Sequence, residues 1–88
     1  MIGLFYIHIE LAFRSYLRNI IDFCIEISLN NGKFSTGALQ SRLSKGHGWV
    51  SGLGFWLEDI GVVGPVNGNK PRDLLITSME EFDEMAGL

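Results

Sequence analysis

Apolar residues recur at alternating steps of four and three through residues 11–29, which is the spacing of one face of an α-helix. The positions on that face are Phe13, Leu17, Ile20, Cys24 and Ile27. A second face repeats charged residues every four positions, namely Arg14, Arg18, Asp22 and Glu26. Residues 30–32 (NNG) follow, and Asn and Gly accept the left-handed backbone that ends helices. The pattern predicts a long first helix.

The segment before it, residues 1–13, fits two patterns. Alternation of apolar and polar residues from Phe5 to Leu11 is typical of a strand, whereas Ile2, Phe5, Ile9 and Phe13 would form a helical stripe. We favour an extension of the first helix. The segment carries more apolar surface than one small domain readily hides. We therefore predict a homo-oligomer formed through residues 1–13; the alternative is that they complete the monomer's own core.

Two shorter helices with a tight turn between them are predicted next. Ser35 is a typical N-cap residue, so a second helix is expected over residues 36–43. Residues 44–46 (SKG) form the turn, and apolar spacing predicts a third helix over residues 47–60, capped by Gly61. Each interior glycine costs about 1 kcal/mol relative to alanine, so packing must stabilise this helix. Its glycines are Gly48, Gly52 and Gly54.

A β-hairpin and a short acidic helix complete the chain. Short β-type runs at residues 62–63 and 74–76 flank Asn67-Gly68, a strong hairpin-turn signal. Residues 78–81 (SMEE) form a capping box that begins the last helix. The fold class is therefore mainly α with a small β-hairpin, in the order of a winged helix-turn-helix. In that architecture the helix after the turn enters a DNA groove and the hairpin contacts the backbone.

Length and charge narrow the function classes. With 88 residues the chain has room for one small domain, which we place at residues 14–77 between an apolar N-terminal extension (1–13) and an acidic C-terminal helix (78–88). The net charge of −3 excludes a uniformly basic nucleic-acid coat. Residues 32–72, however, hold five basic side chains against two acidic ones. A basic middle between acidic ends can still meet a phosphate backbone.

Catalysis, metal binding and cofactor binding are all unexpected. One cysteine and two histidines far apart in sequence make a metal site improbable, and a buried thiol is expected at Cys24. The glycines fit neither phosphate-binding fingerprint, so we expect no ATP and no cofactor. With no nucleophile or acid–base constellation, we do not expect an enzyme. The apolar start is too short for a membrane span and lacks a preceding cationic stretch, so we expect a cytoplasmic protein with no membrane partner.

Side chains able to contact DNA fall in the second helix, the turn, the third helix and the hairpin. They are Thr36, Gln40, Arg42, Lys45, His47, Ser51, Lys70 and Arg72. Phosphate contacts would position the protein without carrying sequence information. The alternatives are a solvated pair at Lys70 and Arg72, an acidic neighbour for Arg42, and capping for Thr36. Trp49 could stack on DNA, although partial burial is the better expectation, and Trp56 is expected in the core.

The hairpin resembles a known family. Residues 61–65 (GVVGP) and 68–76 (GNKPRDLLI), with residues 39–43 (LQSRL) upstream, look like the signature of the γ domain of the FtsK/SpoIIIE DNA translocases. The match runs from about residue 16 to residue 77. The resemblance implies a winged helix that binds double-stranded DNA and reads short oriented chromosomal sequences. It also implies a role in directing the translocase toward the chromosome terminus and in activating a tyrosine recombinase.

The third helix departs from that family. Where the family usually has Tyr-Asn-Arg-Ala-Ala-Arg, residues 47–52 read HGWVSG, so Trp49 and Gly52 replace both arginines. Arginine bound to guanine is the commonest direct base contact. The favoured function is therefore a γ-type DNA-binding module with little sequence preference. The alternative is a degenerate winged helix that acts as a protein-interaction or dimerisation module.

Overall fold

The computed structural model describes the backbone of residues 2–87 and the side chains of residues 15–87. Helix α1 spans Ile2–Asn31, so the segment before residue 11 continues the helix, as we favoured over a strand. The side chains of residues 1–14 lie outside the described part, and with them the oligomer contact predicted for residues 1–13, which stays a prediction. No helix in residues 2–87 is both long enough and apolar enough to cross a membrane.

Helices α2 (Thr36–Leu43) and α3 (His47–Asp59) form the predicted helix-turn-helix. The Ser35 hydroxyl accepts a hydrogen bond from the Ala38 N–H, which confirms the predicted N-cap. In the turn the left-handed residue is Ser44, with a φ of 53°, rather than Gly46. Gly61 follows α3 with a φ of 84°, and its N–H donates to the Glu58 carbonyl. The left-handed Gly61 turns the chain into the hairpin.

The predicted hairpin is present and contains a strand pair that the sequence pattern did not reveal. Its arms meet at the bridge between Val63 and Leu74, and its tip closes at the bridge between Asn67 and Lys70. Gly68, with a φ of 60°, occupies the first central position of that turn, where a type II′ turn favours glycine. Strand β2 (Arg72–Asp73) also pairs antiparallel with β1 (Lys33–Phe34), which joins the hairpin to the segment between α1 and α2.

The core lies where α1, α2, α3, the hairpin and α4 (Met79–Ala86) converge. Its buried apolar residues are Cys24, Ile25, Ile27, Phe34, Leu39, Val50, Leu53, Leu57, Val62, Val63, Ile76 and Phe82. Trp56 was expected among them but is 39% exposed, and it forms a T-shaped pair with buried Phe82, with ring centroids 6.4 Å apart. The fold class is confirmed as mainly helical with a small antiparallel sheet, compatible with a winged helix.

Helix α4 is attached to α1 by charge as well as by packing. The Ser78 hydroxyl accepts from the Glu81 N–H, which is one half of the predicted capping box, while the Glu81 carboxylate accepts from the Thr77 hydroxyl. Arg18 of α1 donates to Asp83 of α4 at 3.0 Å and to Asp22 of its own helix at 3.2 Å. Together with buried Phe82, this ion pair holds the acidic helix against the first helix.

Two glycines of α3 have opposite surroundings, and this predicts opposite effects of alanine. A Cβ at Gly52 would have no neighbour within 4 Å, whereas one at Gly54 would lie 3.1 Å from Cε1 of buried Phe34 and 3.4 Å from Arg72 Nε. Gly52→Ala should raise the free energy of unfolding by about 0.5–1 kcal/mol through helix propensity. Gly54→Ala should lower it by about 1 kcal/mol, since crowding outweighs that gain.

Urea unfolding followed by tryptophan fluorescence measures both changes. Because the two positions are two residues apart on the same helix, each variant serves as the control for the other. Stabilisation by Gly54→Ala would contradict the close packing of α3 against Phe34 and Arg72.

Candidate nucleic-acid interface

A groove of about 530 Å³ lies between the start of α2, one face of α3 and the hairpin. Six of the eight predicted contact residues line it: Thr36, Gln40, His47, Ser51, Lys70 and Arg72. Arg42 and Lys45 do not line it. Three chain segments distant in sequence thus bring most of the predicted side chains to one concave surface.

The face of α3 that lines the groove carries His47, Ser51 and Phe55, spaced four residues apart and therefore about one helical turn apart. The Ser51 hydroxyl and His47 Nε2 are hydrogen-bonded at 3.1 Å. Beside this stripe, Cβ atoms at Gly48 and Gly52 would meet nothing within 4 Å. The exposed side of α3 is therefore smooth near its start, and another molecule can approach the backbone closely.

Arg72 has a different environment from the exposed phosphate contact expected from the sequence. Its side chain is only 7% exposed, and Nη1 donates to Glu58 Oε1 at 2.7 Å and to the Gly64 carbonyl at 3.2 Å. Its guanidinium carbon also lies 4.9 Å from the centroid of the Phe55 ring. Arg72 therefore joins the hairpin to α3, and its charge is already partnered by a carboxylate.

Lys45, by contrast, is held between aromatic rings outside the groove. Its Nζ lies 5.8 Å from the centroid of Tyr16 and 5.7 Å from that of Trp49. Trp49 is partly buried against the core, in agreement with the expectation from helical spacing. The two rings favour the cation without neutralising it, so Lys45 remains able to meet an anion.

The basic side chains of this region differ in how far their charges are already paired. Lys33 forms an ion pair with Asp73 across β1 and β2. Within residues 15–87 no salt bridge involves Arg42, Lys45 or Lys70. These three side chains carry the positive charge most readily available to a phosphate, and Lys70 alone among them lines the groove.

Two exposed apolar residues of the groove were not identified as site residues from the sequence. Phe55 on α3 and Val66 in the hairpin line the groove, and each is 56% exposed. The sequence signal was present for Phe55, since it follows Ser51 by one helical turn where the resembled family is commonly polar. Nothing in the local pattern around Val66 distinguishes it from a residue packed inside the hairpin.

The described residues contain no cluster of three or more His, Cys, Asp or Glu side chains that could hold a metal ion. Cys24 is fully buried, and burial raises the pKa of its thiol to about 11. A thiol with so high a pKa stays protonated near neutral pH and is a poor nucleophile.

The protein has a helix-turn-helix followed by a hairpin, with a groove between them. This arrangement is compatible with the winged-helix class of proteins. Comparison with known proteins gives the relatives. The chain is 42% identical to the DNA translocase FtsK of Borreliella burgdorferi over 57 residues, 65% of this chain and 7% of that protein. It is 34% identical to the DNA translocase SpoIIIE of Bacillus subtilis over 67 residues, 76% of this chain and 8% of that protein.

The chain is therefore related to the FtsK/SpoIIIE DNA translocases, and it corresponds to a small part of each relative's length. No protein-family model matches it, and no solved structure matches it significantly. These relatives support the resemblance of the chain to the FtsK/SpoIIIE translocases that the hairpin motif indicated.

The contrast between Arg72 and Lys70 predicts a difference in stability. Arg72→Gln should lower the free energy of unfolding by about 1–3 kcal/mol, because it leaves Glu58 and the Gly64 carbonyl without their charged donor. Lys70→Gln, at an exposed position, should change it by less than about 0.5 kcal/mol. Urea unfolding of the two variants without DNA makes the comparison. Equal effects would mean that Arg72 does not hold the hairpin to α3.

Proposed function

We propose that this chain is a DNA-binding winged-helix module of the translocase γ type, which binds duplex DNA and contributes to reading oriented chromosomal sequences. The single observation that carries the proposal is the groove, where six predicted contact side chains converge from α2, α3 and the hairpin. Relationship to two DNA translocases supports it independently. By the same resemblance, a tyrosine recombinase is proposed as a protein partner.

In this proposal α3 lies in the major groove and the hairpin lies along the backbone, as in other winged helices. Lys70, Arg42 and Lys45 contact phosphates, and the hydroxyls of Thr36 and Ser51 and the amide of Gln40 add neutral hydrogen bonds. His47 and Ser51 are the polar side chains of α3 that face the groove, so they are the candidates for base contacts. The module binds and positions DNA and is not an enzyme.

A second candidate function is a protein-interaction module, and the surface of α3 favours it. Gly48 and Gly52 leave an open backbone, and exposed Phe55 adds an apolar side chain nearby. Small residues with an adjacent aromatic suit close approach of another protein. Dimerisation through residues 1–13 belongs to the same alternative. Binding to duplex DNA separates the two candidates.

The proposed phosphate contacts predict a weak, strongly salt-dependent interaction. If Arg42, Lys45 and Lys70 neutralise three phosphates, log K against log salt should have a slope of about −3. Lys70→Gln should reduce that slope by about one unit, because it removes one of the three proposed phosphate contacts. Fluorescence anisotropy with a labelled duplex at several salt concentrations measures the slopes.

Arg18→Gln provides the control, because Arg18 bonds Asp22 and Asp83 and does not line the groove. It should leave both affinity and slope nearly unchanged. Absence of binding to any duplex at low salt would reject the proposed function in favour of the protein-interaction module.

Restoring one family arginine should increase affinity. Gly52 has open space around its Cβ position, so Gly52→Arg can extend a side chain without displacing a neighbour. We expect stronger binding, with about 1–3 kcal/mol of preference for duplexes that place guanine opposite the new side chain. Gly52→Ala controls for the change in helix propensity. Titration with guanine-rich and guanine-free duplexes gives the result, and equal gains for both would show that α3 does not reach base edges.

A further inference from the structure

Phe55 is an exposed aromatic side chain that lines the groove. It lines the groove on the same face of α3 as His47 and Ser51, and it is 56% exposed. Single exposed apolar side chains are common on protein surfaces, but one that lines a concave surface is placed to contact whatever fills it. Among the groove-facing residues of α3 it is the one apolar side chain.

The ring is held in place on one side. The guanidinium of Arg72 lies 4.9 Å from its centroid, and that guanidinium is itself fixed by Glu58 and the Gly64 carbonyl. Glu58 lies on α3, three residues after Phe55, so the helix, the arginine and the hairpin form one closed unit. A contact group supported in this way loses little conformational freedom when it binds.

The positions beside this ring leave the start of α3 open to close approach. Gly48 and Gly52 have no side chains and no nearby atoms, so the first two turns of α3 can approach DNA closely. Val66 extends the apolar surface on the hairpin side of the same groove and is also 56% exposed. Neither Trp49 nor Gly52 can make the bidentate contact by which arginine selects guanine. Beside His47 and Ser51, α3 contributes the apolar ring of Phe55 to the groove.

Thymine presents an apolar group at the major-groove edge, its C5 methyl, and phenylalanine is among the side chains that contact it. We infer that Phe55, held by Arg72, is a specificity-determining contact for thymine methyl groups in the major groove. This inference rests on the proposed DNA-binding function and adds a base preference to it. The module would then favour thymine-containing sites through an apolar contact rather than guanine-rich sites through arginine.

Replacing thymine by deoxyuridine tests the inference directly. The substitution removes the C5 methyl group while base pairing and phosphate charge stay the same. Two duplexes of identical sequence, one with thymine and one with deoxyuridine throughout, are titrated with the unaltered protein at low salt. Burial of one methyl group corresponds to a threefold to fivefold change in affinity, so we expect binding to the deoxyuridine duplex to be weaker by about that factor for each methyl contacted.

Variants assign the difference to the ring. Phe55→Ser should abolish the thymine preference, and Phe55→Leu should retain most of it. Leu75→Ser is the matched control, because Leu75 has the same 56% exposure and does not line the groove. It should keep the full preference. Thermal unfolding of each variant checks the fold. If Phe55→Ser does not fold, equal affinity of the unaltered protein for the two duplexes still overturns the inference.

The possible outcomes distinguish failure of the thymine inference from failure of the proposed DNA-binding function. Binding with equal affinity for the thymine and deoxyuridine duplexes would overturn the inference and leave DNA binding intact. A preference that persists in folded Phe55→Ser would also overturn it, since the methyl groups would then act through DNA shape or another residue. No binding to either duplex would reject the proposed function and the inference together, and would assign exposed Phe55 to a protein contact.

Discussion

The guanidinium of Arg72 joins the hairpin to the third helix, and the shape of the groove depends on that link. Strand β2 carries Arg72 inward beneath α3, where Glu58 and the Gly64 carbonyl accept its hydrogen bonds. The approach is possible because Gly54 has no side chain at the point of contact. A buried charge requires such partners, since an unpaired guanidinium would be costly in a core. Gly54 weakens the helix, but its missing side chain lets Arg72 fix the position of the hairpin.

That arrangement divides the basic residues into two kinds. Arg72 and Arg18 hold elements together, the first between hairpin and α3 and the second between α1 and α4. Lys70, on the hairpin next to Pro71, is exposed and lines the groove. A count of charges along the chain treats all of these residues alike. The partners that distinguish them are distant in sequence: Arg72 is 14 residues from Glu58, and Arg18 is 65 residues from Asp83.

Local patterns predicted the helices well because their signals are short-range. Ser35, Gly61 and Ser78 act through hydrogen bonds or backbone angles within a few residues, so caps and boundaries followed from the sequence. Strand β1 could not be predicted in this way, since two residues show no alternation and the partner strand lies about 40 positions later. The exposure of Trp56 likewise could not be predicted from the local pattern, because its ring pairs with Phe82 of a different helix, α4. For the candidate site, the polar side chains could be predicted from their residue types and from the order of the elements. The environment of Arg72 could not, because it depends on contacts with residues distant in sequence.

Helix α4 concentrates acidic side chains in one element of the molecule. Its side chains Glu80, Glu81, Asp83 and Glu84 belong to an element that contributes nothing to the lining of the groove, whereas Lys70 lies on the groove itself. The acidic side chains of α4 therefore lie on an element outside the groove, while the whole chain has a net charge of only −3. An uneven distribution of charge orients a molecule during diffusion, before any contact forms. In the proposed function, DNA would repel the acidic helix and attract Lys70, so this charge distribution would favour encounters through the groove even though the protein as a whole is negative.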